Sequence, residues 1–170
     1  MKNILVIGAG RSAVTLIRYL LENSVANYWK VIVADSSIEL AKKTIENHKN
    51  GKAIFFNAKD KIQREIEIGN ADIVISMLPA ILHIIVAKDC VRLRKNLVTA
   101  SYVSSEIAEL DKSAKQAGII LLNEIGLDPG IDHMSAMKII DTIKENAGKL
   151  TSFKSFCGGL VHPDYDTNPW

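Results

Sequence analysis

Three stretches of the chain combine residue types and spacing that can do chemistry. The first is Gly8-Ala9-Gly10-Arg11-Ser12-Ala13, which follows the apolar run Ile4-Leu5-Val6-Ile7. Gly8 permits a tight turn, and Gly10 lets an anion approach the bare backbone. Ala13, in place of a third glycine, still allows close packing of helix on strand. The N–H groups of the first helical turn then point at the anion, which suits the linked phosphates of a dinucleotide. The plainer alternative is a glycine turn without a ligand. The second stretch is Asp35-Ser36, at the end of the apolar run Val31-Ile32-Val33-Ala34. A carboxylate there accepts hydrogen bonds from an unmodified adenosine ribose and repels a 2′-phosphate, which favours NAD over NADP. Asp35 would otherwise cap the next helix, and Arg11, Lys42 and Lys43 keep NADP open. The third is Gly126-Leu127-Asp128-Pro129-Gly130-Ile131-Asp132-His133. Asp128 before Pro129 reads as a helix N-cap with proline at the first helical position. It reads equally as a carboxylate at a cleft mouth, pairing with a substrate amine while helix-terminal N–H groups hold a substrate carboxylate.

Four other side chains have weaker claims. Tyr102 and Cys157 are able to donate or relay a proton, with a structural role as the default. His83 and His133 fall on predicted helices, where packing or solvent contact is the ordinary fate of histidine. No His/Cys/Asp spacing suggests a metal site.

The elements that must position these residues alternate along the chain. Strands are predicted at Ile4–Ile7, Val31–Ala34, Ala53–Asn57, Ala71–Pro79, Asn96–Ser101 and Ile119–Asn123. Each is followed by an apolar three-and-four spacing, such as Ala13, Leu16, Ile17, Leu20 and Leu21. Ser36 with Glu39 has the capping-box pattern, Asp60 caps a short helix, and Ser105 opens another. Strand–helix alternation of this kind specifies a doubly wound parallel α/β sheet, the Rossmann class, with ligands beyond the carboxyl ends of the strands. A last strand is expected over Ser152–Cys157, and the proline-broken tail to Trp170 reads as a crossing segment. The expected domains are therefore 1–148, binding the cofactor, and 149–170, leading to a second domain.

Composition narrows the classes. The 170 residues are 48% hydrophobic, enough for one large core, and carry a formal charge of +2. So small a charge gives no reason to expect nucleic acid or an acidic membrane surface as partner. Two cysteines, Cys90 and Cys157, make no disulfide framework. The run Arg92, Arg94, Lys95 sits where a helix should end, favourable against its dipole. The first apolar run is only a strand long, so no signal peptide is read, and a cytoplasmic location is the default expectation.

The chain resembles the saccharopine dehydrogenase (saccharopine reductase) family, in its glutamate-forming branch. The resemblance rests on Val74-Ile75-Ser76-Met77-Leu78-Pro79 with His83, Val98-Thr99-Ala100-Ser101-Tyr102-Val103-Ser104, Asn123-Glu124-Ile125-Gly126-Leu127-Asp128-Pro129-Gly130-Ile131-Asp132-His133 and Cys157-Gly158-Gly159-Leu160. It implies NAD(P)-dependent oxidation of saccharopine to glutamate and 2-aminoadipate 6-semialdehyde, or the reverse, in lysine metabolism. It places Gly10, Arg11, Ser12 and Ala13 at the pyrophosphate, Asp35 and Ser36 at the adenosine ribose, and Asn57 and Ala58 by the adenine. Leu78, Thr99 and Ala100 would line the nicotinamide side, and Ser101, Tyr102 and Asp128 would contact saccharopine. It also implies a long second domain carrying further substrate contacts and a homodimer surface. The present chain alone is then expected to bind cofactor with little or no turnover. Rival readings are a sister dehydrogenase of the carboxynorspermidine type, a nucleotide-sensing Rossmann domain and a scaffold without catalysis.

Overall fold

A computed structural model describes residues 1–156. Six parallel strands form one sheet: β1 (Lys2–Ile7), β2 (Trp29–Asp35), β3 (Gly51–Phe55), β4 (Ile73–Ser76), β5 (Asn96–Thr99) and β6 (Leu121–Leu122). Their order in space is β3-β2-β1-β4-β5-β6. The order reverses between β1 and β4, which opens the crevice where such sheets bind ligands. Between the strands run α1 (Val14–Asn23), α2 (Ile38–Ile45), α3 (Lys61–Gly69), α4 (Ala80–Leu93), α5 (Ser105–Ala108) and α6 (Asp111–Ala117). The last helix, α7 (Ile131–Glu145), buries none of its residues.

The apolar runs are unbroken because both sheet faces are covered. Successive side chains of β1 go to opposite cores. Ile4 and Val6 join Ile17, Val31, Val33 and Ala41 under α1 and α2. Leu5 and Ile7 join Phe56, Ile68, Val74, Val86 and Leu97 under α3 and α4. Each fully buried side chain of this size contributes about 1.5–3 kcal/mol. Register brings the strand ends level: Ile7 pairs with Ala34 and with Ser76, and Ser76 pairs with Thr99. The residues that follow these four therefore share one rim.

Several expectations change in detail. Ser37, not Ser36, caps α2, its Oγ accepting from Leu40 N at 3.2 Å. The Asp35 carboxylate takes the Ser37 N–H and delays the helix by one residue. The helix expected from Ser105 is capped by Ser104 and breaks at Leu110 into α5 and α6. Asp128 does not cap α7; that position falls to Gly130, and the Asp128–Pro129 peptide is cis. The strand expected from Ser152 does not form: residues 151–156 have no regular structure, and Phe153 and Phe156 are exposed. No strand edge among the described residues pairs with them, and an isolated strand leaves its backbone groups unsatisfied. Cys157 lies outside the described residues.

Candidate functional site at the carboxyl rim of the sheet

The two glycines of the turn are placed in different ways. Gly8 has φ +105°, and a Cβ there would stand 2.9 Å from the Met77 carbonyl oxygen of the neighbouring strand end. Only glycine suits that backbone. Gly10 is different: a Cβ would meet nothing within 4 Å. Its bareness is not demanded by the fold, so open space adjoins the backbone where a ligand would approach. Gly10 caps the turn Arg11–Ala13 without a side-chain hydrogen bond. Ala13 is wholly buried, while Arg11 and Ser12 are exposed.

Asp35 stands beside this turn, half-buried. Its Oδ2 accepts from Ala9 N at 2.7 Å and its Oδ1 from Ser37 N at 2.8 Å. The carboxylate thereby ties β1 to β2 and is fixed in direction. Ser36 is exposed next to it. Beyond β3, Asn57 folds its loop through Lys59 N→Oδ1 at 3.0 Å and its own N–H to Gln63 Oε1 at 2.8 Å. Ala58 is buried, and its carbonyl accepts from Arg64 NH1 at 2.6 Å. The Arg64 guanidinium also meets Asp89 at 2.7 Å, so a buried ion pair between α3 and α4 braces this loop.

On the other side of the crevice, Pro79 opens α4 and Leu78 is half-buried against the core. Thr99 is buried, with its hydroxyl turned to His83, and Ala100 beside it is half-buried. His83 is 2% exposed and lies among three hydroxyls, which no spacing rule revealed. Its Nδ1 is 2.9 Å from Ser76 Oγ and its Nε2 is 2.8 Å from Ser101 Oγ. Burial holds its pKa below the ordinary 6.5.

Tyr102 and Asp128 meet although 26 positions separate them: the Tyr102 hydroxyl donates to Asp128 Oδ1 at 2.7 Å. The loop that carries Asp128 closes on itself. Gly126 N donates to the Pro129 carbonyl at 2.9 Å, and Ile131 N to the Gly126 carbonyl at 2.9 Å. A Cβ at Gly130, φ +149°, would fall 2.1 Å from the Gly126 oxygen. Gly126 lies against Ala100, which seats the loop on the end of β5. Asp128, Asp132 and His133 come together with ligand atoms within 4.8 Å of one another. Asp132 already accepts from His133 Nδ1 at 2.8 Å, and this hydrogen bond raises the His133 pKa. Asp128 and His133 are exposed and Asp132 is half-buried, so three groups that the sequence reading did not join each offer one ligand atom at a single place.

Two further placements bear on the site. A cleft of about 670 Å³ between α1 and α2 reaches the rim only at Ala9 and Arg11, with Arg18 and Lys43 along its wall. It is the outer flank of the glycine turn, not the crevice between β1 and β4. Cys90, on α4, is buried and its thiol is pushed up to about 12, which removes it from thiolate chemistry. Among the described residues no helix is long and apolar enough to cross a membrane.

The family model described as the saccharopine dehydrogenase NADP binding domain matches residues 4–122. The saccharopine dehydrogenase C-terminal domain matches residues 126–170. The Pyricularia oryzae saccharopine dehydrogenase [NADP(+), L-glutamate-forming] is 39% identical over 168 residues, which cover 99% of this chain and 36% of that protein. An Arabidopsis thaliana alpha-aminoadipic semialdehyde synthase is 46% identical over 139 residues, 82% of this chain and 13% of that protein. The apo structure of the L-Glu-forming saccharopine dehydrogenase from Saccharomyces cerevisiae superposes with a TM-score of 0.83 at 38% identity, over 99% of this chain and 37% of that one. The chain thus spans little more than a third of the fungal relatives. With its six-stranded parallel sheet and its glycine turn at the β1 end, the chain belongs to the saccharopine dehydrogenase family.

Proposed function

We propose that this chain is the cofactor-binding part of an oxidoreductase that interconverts saccharopine with glutamate and 2-aminoadipate 6-semialdehyde. The observation that carries the reading is the Tyr102–Asp128 pair, on the same rim as the open backbone of Gly10. Gly10, Arg11, Ser12 and Ala13 hold the pyrophosphate, Asp35 and Ser36 the adenosine ribose, and Asn57 and Ala58 flank the adenine. Leu78, Thr99 and Ala100 form the nicotinamide side. The bound nicotinamide supplies a hydride acceptor for the carbon next to the substrate's secondary amine. Asp128 pairs with that amine and Tyr102 steadies the carboxylate, while Ser101 offers a hydroxyl to the substrate. Positioning of this kind, with a proton acceptor at hydrogen-bond reach, is what the oxidation of a C–N bond asks of a protein. The resulting imine is hydrolysed by water. Cys157 stays a candidate proton donor on the sequence reading alone.

The favoured cofactor is NAD. The Asp35 carboxylate is fixed by two main-chain N–H groups and would face a 2′-phosphate with like charge. NADP is the second reading, supported by Arg11 and Lys43 on the flank of the turn and by the names of the relatives. We place the cofactor domain over residues 1–148 and a crossing to a substrate and dimerisation domain over 149–170. The C-terminal family match starts earlier, at 126, so α7 falls within both descriptions. A cytoplasmic homodimer completes the reading. Titration of the protein with NADH and NADPH, followed by fluorescence, tests it: saturable binding with NADH tighter is expected. No saturable binding of either nucleotide sinks it. Turnover by full-length Asp128→Asn separates an enzyme from a sensor or scaffold, since only the enzyme would lose rate.

A further inference from the structure

We infer that His83 is a positioning residue for substrate binding: as its Nε2–H tautomer it turns the Ser101 hydroxyl outward as a donor to a substrate carboxylate. The inference rests on the proposed substrate role of this rim and adds a residue to it. The chain of reasoning starts at Ser76, which is wholly buried at the end of β4. Among the described residues its hydroxyl has one hydrogen-bond partner, His83 Nδ1 at 2.9 Å. A buried hydroxyl proton needs an acceptor, so it goes to Nδ1. A ring that accepts at Nδ1 carries its own proton at Nε2. That N–H donates to Ser101 Oγ at 2.8 Å, with Thr99 Oγ1 3.1 Å away as a second acceptor, while the buried Thr99 proton shares the Nδ1 lone pair, 3.4 Å away, with that of Ser76. Thr99 in turn accepts from Ser101 N at 3.3 Å and steadies the same residue. Ser101 Oγ therefore spends a lone pair on His83, and its remaining proton faces the cleft, where Ser101 is half-exposed. Burial lowers the basicity of the ring and keeps it neutral at neutral pH, while the hydrogen-bond partners select the tautomer.

The alternative tautomer reverses the polarity. With Nδ1 protonated, Ser101 would donate inward and show only lone pairs to a carboxylate, which repel it. The tautomer of a buried histidine thus decides which ligand chemistry Ser101 accepts.

Long-range ¹H–¹⁵N correlation of histidine-labelled full-length protein at neutral pH reads the tautomer directly; the Nε2–H form is expected, and the Nδ1–H form overturns the inference. The second arm is steady-state kinetics with saccharopine. Ser101→Ala and His83→Asn should each raise KM about ten- to a hundredfold, the range for a lost hydrogen bond to a charged group. NADH affinity should stay level in both. His83→Gln, whose amide reaches the Nε2 position, should recover most of the loss. The double variant Ser101→Ala/His83→Asn should be no worse than the poorer single one. Unchanged KM in Ser101→Ala, or additive losses in the double variant, overturns the inference. A wild-type protein that binds NADH but does not turn over saccharopine overturns the functional reading instead, and the tautomer then decides the part played by His83.

Discussion

Removing the Asp89 carboxylate tests the bracing of the loop that follows β3. Arg64 and Asp89 are 2.7 Å apart with side chains only 10% and 8% exposed. Asp89 also accepts from Arg92 at 2.8 Å, but Arg92 is 48% exposed and keeps Glu65 at 2.9 Å. In Asp89→Ala, Arg92 regains water at little cost, whereas Arg64 is left as a buried cation with the Ala58 carbonyl as its remaining partner. Breaking one side of a buried pair costs about 3–5 kcal/mol. For a domain of this size about 2–4 °C of Tm accompanies each kcal/mol, so Tm should fall by roughly 6–20 °C. The matched control is Arg92→Ala, an exposed pair worth about 0.2–1 kcal/mol. Replacing both partners, Arg64→Met with Asp89→Leu, should regain most of the stability, because no charge is then stranded. It should not regain nucleotide affinity, because the Ala58 loop has lost its clamp. Urea unfolding of the four proteins gives the energies, and NADH titration gives the affinities. The reasoning fails if Asp89→Ala and Arg92→Ala destabilise alike, or if the double replacement is as damaged as Asp89→Ala.

Other outcomes follow from the rim. Gly8→Ala should lower both stability and nucleotide binding, since its Cβ meets the Met77 carbonyl, while Gly10→Ala should leave Tm unchanged and weaken NADH at least tenfold in titration. Asp35→Ser should shift the NADPH-to-NADH affinity ratio towards NADPH, read as two dissociation constants, at a stability cost of about 1–3 kcal/mol for unsatisfied Ala9 and Ser37 N–H groups. Two of the shifted groups give separable arms in the pH dependence of unfolding. His83 has a folded pKa below 6.5, so its contribution is complete above pH 6.5 and is lost as pH falls through the folded value; His83→Asn should flatten that arm. Asp72, lowered from 3.8 by the Asn3 N–H at 2.7 Å and the nearby Lys2, contributes above pH 3.8 and loses its share as pH falls further. Asp72→Asn should flatten this lower arm by about 1 kcal/mol at most, the group being largely solvated, as urea unfolding at stepped pH would show.

The sheet was legible because its information is local. Val31–Ala34 and Ile4–Ile7 are unbroken apolar runs, and each ends at a residue that the rim uses. Asp35 and Gly10 stand out for the same reason, since a strand end is visible in a single window of sequence, whereas Asp128, in the loop beyond β6, stands out by its Gly-Leu-Asp-Pro-Gly setting. What stayed hidden depends on phase and distance. His83 looked like an ordinary packed histidine because the turn of α4 that aims it at Ser76 and Ser101 is not a composition signal. Of the two readings open for Asp128, helix cap and cleft-mouth carboxylate, the capping position falls to Gly130, and Tyr102 donates to the carboxylate. The Arg64–Asp89 pair joins two helices 25 positions apart and has no local mark. Ser36 and Ser37 are indistinguishable by type; a backbone hydrogen bond to Asp35 chose between them.

The level register of the strand ends sets where this chain tolerates a change of length. Ile7, Ala34, Ser76 and Thr99 stand in one row, and each hands the chain to the crevice at the next residue. One extra residue inside any of these strands would lift its end by about 3.3 Å and turn every side chain to the wrong face. Insertions are therefore confined to the connections at the opposite edge, such as residues 46–50 between α2 and β3 or 94–95 between α4 and β5. Those segments can grow or shrink while the row of terminal residues keeps its height.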